Sequence, residues 1–383
     1  MKRKIYNQLL DWKINRKGDV ALLIEGARRI GKSYIVEEFA RNEYTSYILI
    51  DFNKVGTKVK RLFDEYLDDL DTFFEMLELY YKVKLVPRQS VIIFDEVQQF
   101  PRARTAIKYL VADGRYDYLE TGSLISIRKN VKDIVIPSEE RSITMYPMDF
   151  EEFLWAMGNE NLMPLLQKRL SQGKPMKDEH REAMDYFRRY MIVGGMPQAV
   201  EKYVQTRDFE QVDMVKRDIL TIYRNDIRKH AGRLAMKVTS IFDEIPAQLQ
   251  KNERKFRLAD LKKDARMRDY ETAFMWLSDA KIINCCYNTT APNIGLKLNM
   301  DRLTLKCYMA DTGLLISHAF DEKQIVSNEL YLQPVSATHD FKFQAPDGKM
   351  RKSDVLDFTR LWLDLIFKSS IKQCVDWSQI DKK

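Results

Sequence analysis

The chain has 383 residues, 45% of them hydrophobic and 31% charged, with a net charge of +7. That length suits two or three domains, each with its own core, and the composition excludes a disordered chain. No apolar run approaches the roughly 18 residues of a membrane span, and no secretory signal follows the basic start Met1-Lys-Arg-Lys, so a cytoplasmic protein without a membrane partner is expected.

The charge permits contact with nucleic acid without demanding it. Four cysteines without C-x-x-C spacing and four scattered histidines argue against a zinc site.

Residues 1–19 have the spacing of a short amphipathic helix (Ile5, Leu9, Leu10, Trp12). The apolar run Val20–Ile24 then reads as a buried parallel strand. It leads into Gly26-Ala27-Arg28-Arg29-Ile30-Gly31-Lys32-Ser33, which fits the G-x-x-x-x-G-K-[ST] pattern of a P-loop, and helical spacing resumes from Tyr34. The chemistry needs these residue types in this order. Gly26 and Gly31 let the backbone approach phosphates, and the amides from Arg28 to Ser33 with a helix N-terminus form an anion cradle. Lys32 reaches the β- and γ-phosphates, and Ser33 can hold Mg²⁺.

Tyr44–Phe52 reads as a second strand, and residues 57–82 as one acidic, aromatic helical stretch whose Leu62, Phe63, Phe73 and Phe74 belong to a core. Ser90-Val-Ile-Ile-Phe-Asp95-Glu96 is another buried strand, ending in two carboxylates where ligands sit in an open α/β sheet. Asp95 suits the Mg²⁺ shell, and Glu96 suits the base that polarises the attacking water. After a break at Pro101 and a helix from about Arg104 to Ala112, Tyr116-Asp-Tyr-Leu-Glu-Thr121-Gly-Ser123 ends a further strand. Thr121 or Ser123 is then a candidate sensor of the γ-phosphate.

Residues 141–155 run from a last strand into a helix with Asp149 as N-cap. Arg141 is a candidate γ-phosphate finger, and equally a salt-bridged surface residue. Residues 156–180 read as a flexible connection, and 182–230 as helices broken at Gly194-Gly195-Met-Pro197. The charge-dense run from Lys216 to His230 reads as a solvated face. Residues 236–318 have the layout of a winged helix: helices over about 237–250, from Leu258, and over roughly 268–282, then two β-like runs. Arg266, Arg268 and Tyr270 suit phosphate contacts, and winged helices bind DNA or protein, so either partner is open.

The loop Gly-Ala-Arg-Arg-Ile-Gly-Lys-Ser, Ile-Ile-Phe-Asp-Glu-Val-Gln, Thr-Gly-Ser, Tyr-Pro-Met-Asp-Phe-Glu-Glu-Phe, Val-Gly-Gly-Met-Pro and Asp311-Thr-Gly-Leu-Leu together resemble prokaryotic AAA+-superfamily ATPases with a C-terminal domain of unknown function. The resemblance covers about residues 1–325. It implies an α/β core with strand order 5-1-4-3-2, a helical and winged-helix region, and a restriction-nuclease-like C-terminal domain. The last part departs from the family: 326–383 lack its signature, Asp340-Phe-Lys342 is one of five [DE]-x-K triplets in a charged chain, and 353–375 read as an amphipathic helix. A divergent, truncated or frame-shifted tail is expected there, without nuclease activity.

The expected organisation is an ATPase core over 1–155, a helical region over 156–235, a winged-helix domain over 236–320 and the tail over 321–383. The expected function is Mg²⁺-dependent binding and slow hydrolysis of ATP. The nucleotide is held by Gly26, Ala27, Arg28, Arg29, Ile30, Gly31, Lys32, Ser33 and Tyr34, and the metal by Ser33 and Asp95. Glu96, Lys32, Thr121, Ser123 and Arg141 are the catalytic candidates. The alternative is a nucleotide-gated DNA- or protein-binding switch with negligible turnover; an oligomer is open in either case.

Overall fold

The computed structural model describes residues 1–16, 18–123, 138–176, 178–250, 255–289, 296–320, 342–344 and 350–352. The chain divides into two compact units. One is built from Lys2–Tyr146 with Asp279–Ile282, the other from Pro147–Ser278 with the chain from Ile283 onward.

In the first unit, helix α1 (Ile5–Arg16) precedes β1 (Ala21–Glu25), α2 (Lys32–Glu43), β2 (Ser46–Asp51), α3 (Thr57–Glu65), α4 (Leu70–Tyr81), β3 (Ser90–Asp95), α5 (Pro101–Asp113), β4 (Asp117–Gly122) and β5 (Glu140–Thr144). Among the described residues the strands form one parallel five-stranded sheet in the order β2-β3-β4-β1-β5. That is the expected order, and it matches the P-loop NTPase fold. Every residue of β3 and β4 is buried, as strands covered on both faces require.

One sheet face carries Ala21, Leu23, Ile50, Phe52, Ile92, Phe94 and Tyr118 against α3, α4 and α5. Phe63 is the hub, with ring centroids 5.9 Å from Phe52, 5.1 Å from Phe73 and 5.6 Å from Phe94, all edge to face. The aromatics expected in the core are there. The helical stretch expected over 57–82 consists of two helices, because Asp69 ends the linking turn by capping α4: its carboxylate accepts from the Thr72 amide at 3.2 Å and hydroxyl at 2.7 Å. Pro101 starts α5 rather than breaking the chain ahead of it, since a first-turn position needs no amide donor.

The same face buries charge. Arg104 of α5 grips the Glu140 carboxylate with two donors at 2.6 and 2.8 Å, and Glu120 of β4, paired in register with Leu23 and Phe94, is fully buried beside them. Desolvation, aided by the Glu140 charge and opposed by Arg104, pushes the Glu120 carboxyl well above the usual range. A raised folded-state pKa gives stability that is complete below the unfolded value and is lost as pH rises towards the folded one. Glu120→Gln is therefore expected to melt at a temperature that pulls ahead of wild type as pH increases from 5 to 8, by at most about 1.4 kcal/mol per pH unit. Thermal scans across that range check it, and a constant difference would show that folding does not raise the Glu120 pKa.

The second unit opens with α6 (Phe150–Ala156), α7 (Leu162–Ser171), α8 (Asp178–Val193), α9 (Pro197–Thr206) and α10 (Phe209–His230). Asp149 caps α6 through a reciprocal pair with Glu152, at 2.9 and 3.0 Å. The stretch expected to be a flexible connection instead contains α7, whose Leu162, Met163 and Leu166 are buried. The charge-dense run is not wholly solvated either: Lys216 is fully buried, donates to the Ile192 carbonyl at 2.7 Å, and is pushed down to about 8 by desolvation.

Next come α11 (Ala235–Gln250), a 3-10 turn at Leu258–Asp260, α12 (Met267–Asp279), β6 (Ile283–Thr289), β7 (Met300–Met309) and α13 (Thr312–Ala319). The strands β6 and β7 pair antiparallel. The second helix expected from Leu258 is only that short turn. Lys262, Lys263, Arg266 and Arg268 are exposed. Tyr270, grouped with Arg266 and Arg268 from the sequence, is buried and packs inward instead.

The expected break between α8 and α9 is a close-packed junction. The Asp311 carboxylate, buried at the start of α13, accepts from the amides of Gly195 at 2.6 Å and Leu314 at 2.8 Å. The Gly195 carbonyl accepts from Met148 at 2.7 Å, and a Cβ on Gly195 would sit 2.0 Å from the Met148 oxygen, so only glycine fits.

In the tail, β8 (Lys342–Gln344) and β9 (Met350–Lys352) pair antiparallel. Asp340 of the triplet and the amphipathic pattern over 353–375 lie outside the described residues.

Candidate nucleotide-binding site

The loop between β1 and α2 lies at the carboxyl end of the sheet. Gly31 caps α2 with φ +89°, a left-handed conformation that glycine adopts without strain. Arg29 takes φ +67° at the loop tip, where it and Arg28 are exposed, while Ala27 and Ile30 are buried. Tyr34 projects from the first turn of α2 and is exposed.

Lys32 is buried and turned back on its own loop, donating to the carbonyls of Gly26 at 3.1 Å and Ala27 at 2.8 Å. Desolvation pushes its ammonium down to about 8, against the pull of Glu96 and Asp95. Both carboxylates thus lie within electrostatic reach of the lysine.

One oxygen of Asp95 collects two hydroxyls. Ser33 Oγ of α2 donates to Asp95 Oδ1 at 2.7 Å, and Thr121 Oγ1 of β4 donates to the same atom. Thr121 Oγ1 in turn accepts the Glu96 amide at 3.1 Å. The arrangement follows from register: Thr121 pairs with Ile24, the residue before the last of β1, and Asp95 ends the adjoining strand β3. Glu96 takes φ +55°, a sparsely populated conformation for a non-glycine residue, where the chain turns out of β3. Its carboxylate accepts from the Gln98 side-chain amide.

The fold therefore unites Lys32, Ser33, Asp95, Glu96 and Thr121. Ser123 follows Gly122, which pairs with Glu25 just ahead of the loop, so it stands at the same edge of the sheet. Arg141 does not join the group. It is exposed on the edge strand β5 and pairs with Leu22, three residues, or about 10 Å, before the sheet's carboxyl end. A finger acting within this chain is not compatible with that position.

Two residues escaped the sequence reading. Gln98 could have been found as the first polar side chain in the turn after Glu96. Arg3 could not: its guanidinium donates to the Ile30 carbonyl, 27 residues away, and to Tyr146, 143 away.

Among the described residues no group of three or more His, Cys, Asp or Glu side chains could hold a metal by itself. A hydroxyl and a carboxylate on one hydrogen bond are nevertheless a hard-oxygen pair of the kind Mg²⁺ uses when phosphates and waters complete its shell.

Residues 19–154 match a family model described as an AAA domain, and residues 184–324 match one described as a domain of unknown function (DUF8612). No curated protein matches the chain. Among solved structures, a Walker-type ATPase of Pyrococcus abyssi is 14% identical, with 83% of this chain and 96% of that one covered and a TM-score of 0.48. AMPPCP-bound DnaA from Aquifex aeolicus is 11% identical over 73% and 84%, with a TM-score of 0.34. The Thermotoga maritima RuvB branch migration motor is 11% identical over 74% and 89%, at 0.32. The family match and the sheet order agree that the first unit carries an AAA-type P-loop ATPase domain. No helix among the described residues is long and apolar enough to cross a membrane.

Proposed function

We propose that the protein binds ATP with Mg²⁺ and hydrolyses it slowly to ADP and phosphate. The observation that carries this reading is the convergence of Ser33 and Thr121 on one Asp95 oxygen, which ties the phosphate loop to the acidic strand end. In it the loop amides and Lys32 hold the phosphates, with Arg28, Arg29 and Tyr34 at the rim. Ser33 and Asp95 hold Mg²⁺, which would neutralise developing charge on the phosphates. Glu96 accepts the proton of the attacking water, and Thr121 or Ser123 senses the γ-phosphate. Arg141 is left to act, if at all, on the site of a neighbouring copy.

A second reading is a nucleotide-gated switch with negligible turnover. The contact from Gln98 favours it, because a carboxylate engaged by an amide is less available to water. In either reading the output passes to the second unit, whose α11, α12 and β6–β7 hairpin we read as a winged helix that binds DNA or a protein partner.

The test is a titration with a fluorescent ATP analogue, with and without Mg²⁺, beside phosphate release with and without duplex or single-stranded DNA. Mg²⁺-dependent binding with phosphate release is the expected result, and release that rises with DNA makes the winged helix a DNA reader. Binding without release favours the switch, and no binding overturns both readings.

A further inference from the structure

Arg3 lies ahead of α1, outside every motif of the site, and is buried. Its Nη1 donates to the Ile30 carbonyl inside the phosphate loop at 3.0 Å, and its Nη2 to the Tyr146 carbonyl at 2.6 Å. The segment that it grips is fastened to the other end of the loop as well. The Met145 amide donates to the Glu25 carbonyl at 2.7 Å, and a Cβ on Gly26 would stand 2.4 Å from the Met145 oxygen. Met145–Tyr146 is thus held to the loop where it leaves β1 and where it enters α2. Tyr146 is also the last residue of the first unit before Pro147 opens the second.

Lys32 now bonds the carbonyls of Gly26 and Ala27, and an ammonium that turns to a phosphate gives up those bonds. Gly26 lies against Met145, with no room between them for a Cβ, and Ile30, three positions before Ser33, is tied to Tyr146 through Arg3. We propose that Arg3 is a positioning residue that transmits phosphate occupancy of the loop to Met145–Tyr146, so that nucleotide loading is felt where the chain leaves the first unit. The proposal rests on the nucleotide-binding reading above. Arg3 acts through the backbone carbonyls that it holds. A guanidinium suits the task because separate nitrogens of one rigid fork reach two carbonyls, which the single nitrogen of a lysine does not reproduce.

The experiment is hydrogen exchange of a peptide spanning 144–150 in the full chain, with and without Mg²⁺ and the non-hydrolysable analogue AMPPCP. Wild type, Arg3→Met and Arg3→Lys are compared, and the affinity of each for the analogue is measured in parallel. In wild type the nucleotide is expected to slow exchange in this peptide. Arg3→Met should bind with a Kd within about tenfold of wild type yet show no slowing, and Arg3→Lys should recover part of it. A merely structural Arg3 would raise exchange in both states and leave the nucleotide response intact, which overturns the proposal. So does a wild type that binds the analogue without any response. If Arg3→Met fails to fold, Arg3→Lys decides: a full response overturns the coupling and a diminished one supports it. A wild type that binds no nucleotide removes the underlying reading instead.

Discussion

Lys32→Ala is expected to bind ATP at least about 100-fold more weakly than wild type, because charged hydrogen bonds worth about 1.5–3 kcal/mol each disappear from the phosphates. The side chain has no solvated alternative. It is buried and turned onto its own loop, within electrostatic reach of Asp95 and Glu96. Alanine suits the first turn of α2, and the change removes the two contacts to Gly26 and Ala27 without disturbing the helix. Fluorescent-nucleotide titration of the variant, with its melting temperature as a control for folding, checks this. A folded variant with a Kd within threefold of wild type would remove Lys32 from the phosphate site.

Glu96→Gln is expected to separate binding from turnover. The side chain keeps its size and, by rotating its amide, its contact with Gln98, while it loses the capacity to accept a proton. Nucleotide affinity should stay near that of wild type while phosphate release falls by about 10²–10⁴-fold, the usual contribution of a positioned general base. Equal turnover in the two proteins would sink the base assignment and move attention to Asp95 or to a water held by Thr121. If wild type itself releases no phosphate, the switch is the reading that survives.

The parts that could be read from the sequence are those where chemistry or burial leaves little choice. A phosphate loop admits few residue types, and β3, covered on both faces, shows as an apolar run ending at Asp95, while β4 was legible from the small polar residues that close it from Thr121. Even the Asp149 cap was visible, since capping is a local exchange between residues three apart. What was missed depends on contacts made in three dimensions. The division of 57–82 rests on an Asp69 cap inside a stretch whose helical spacing of apolar residues carries on across the break. The sequence left Arg141 open between a finger and a surface residue, because nothing local says that β5 pairs with Leu22 well short of the loop. Lys216 looks solvated by composition and is buried by the way α10 packs, and Arg3 carries no signal until the chain closes on itself.

The Asp311 junction also sets a timetable for biosynthesis. Gly195 is translated 116 residues before the carboxylate that its amide needs. At about 5–20 residues per second, the α8–α9 turn waits on the order of 6–23 s for its partner to be made. Throughout that interval a ribosome-bound chain presents Val193 and Met196, both wholly buried in the finished unit, next to an unsatisfied backbone donor. A chain cut ahead of residue 311 is therefore expected to keep that donor unsatisfied and the α8–α9 turn loosely packed.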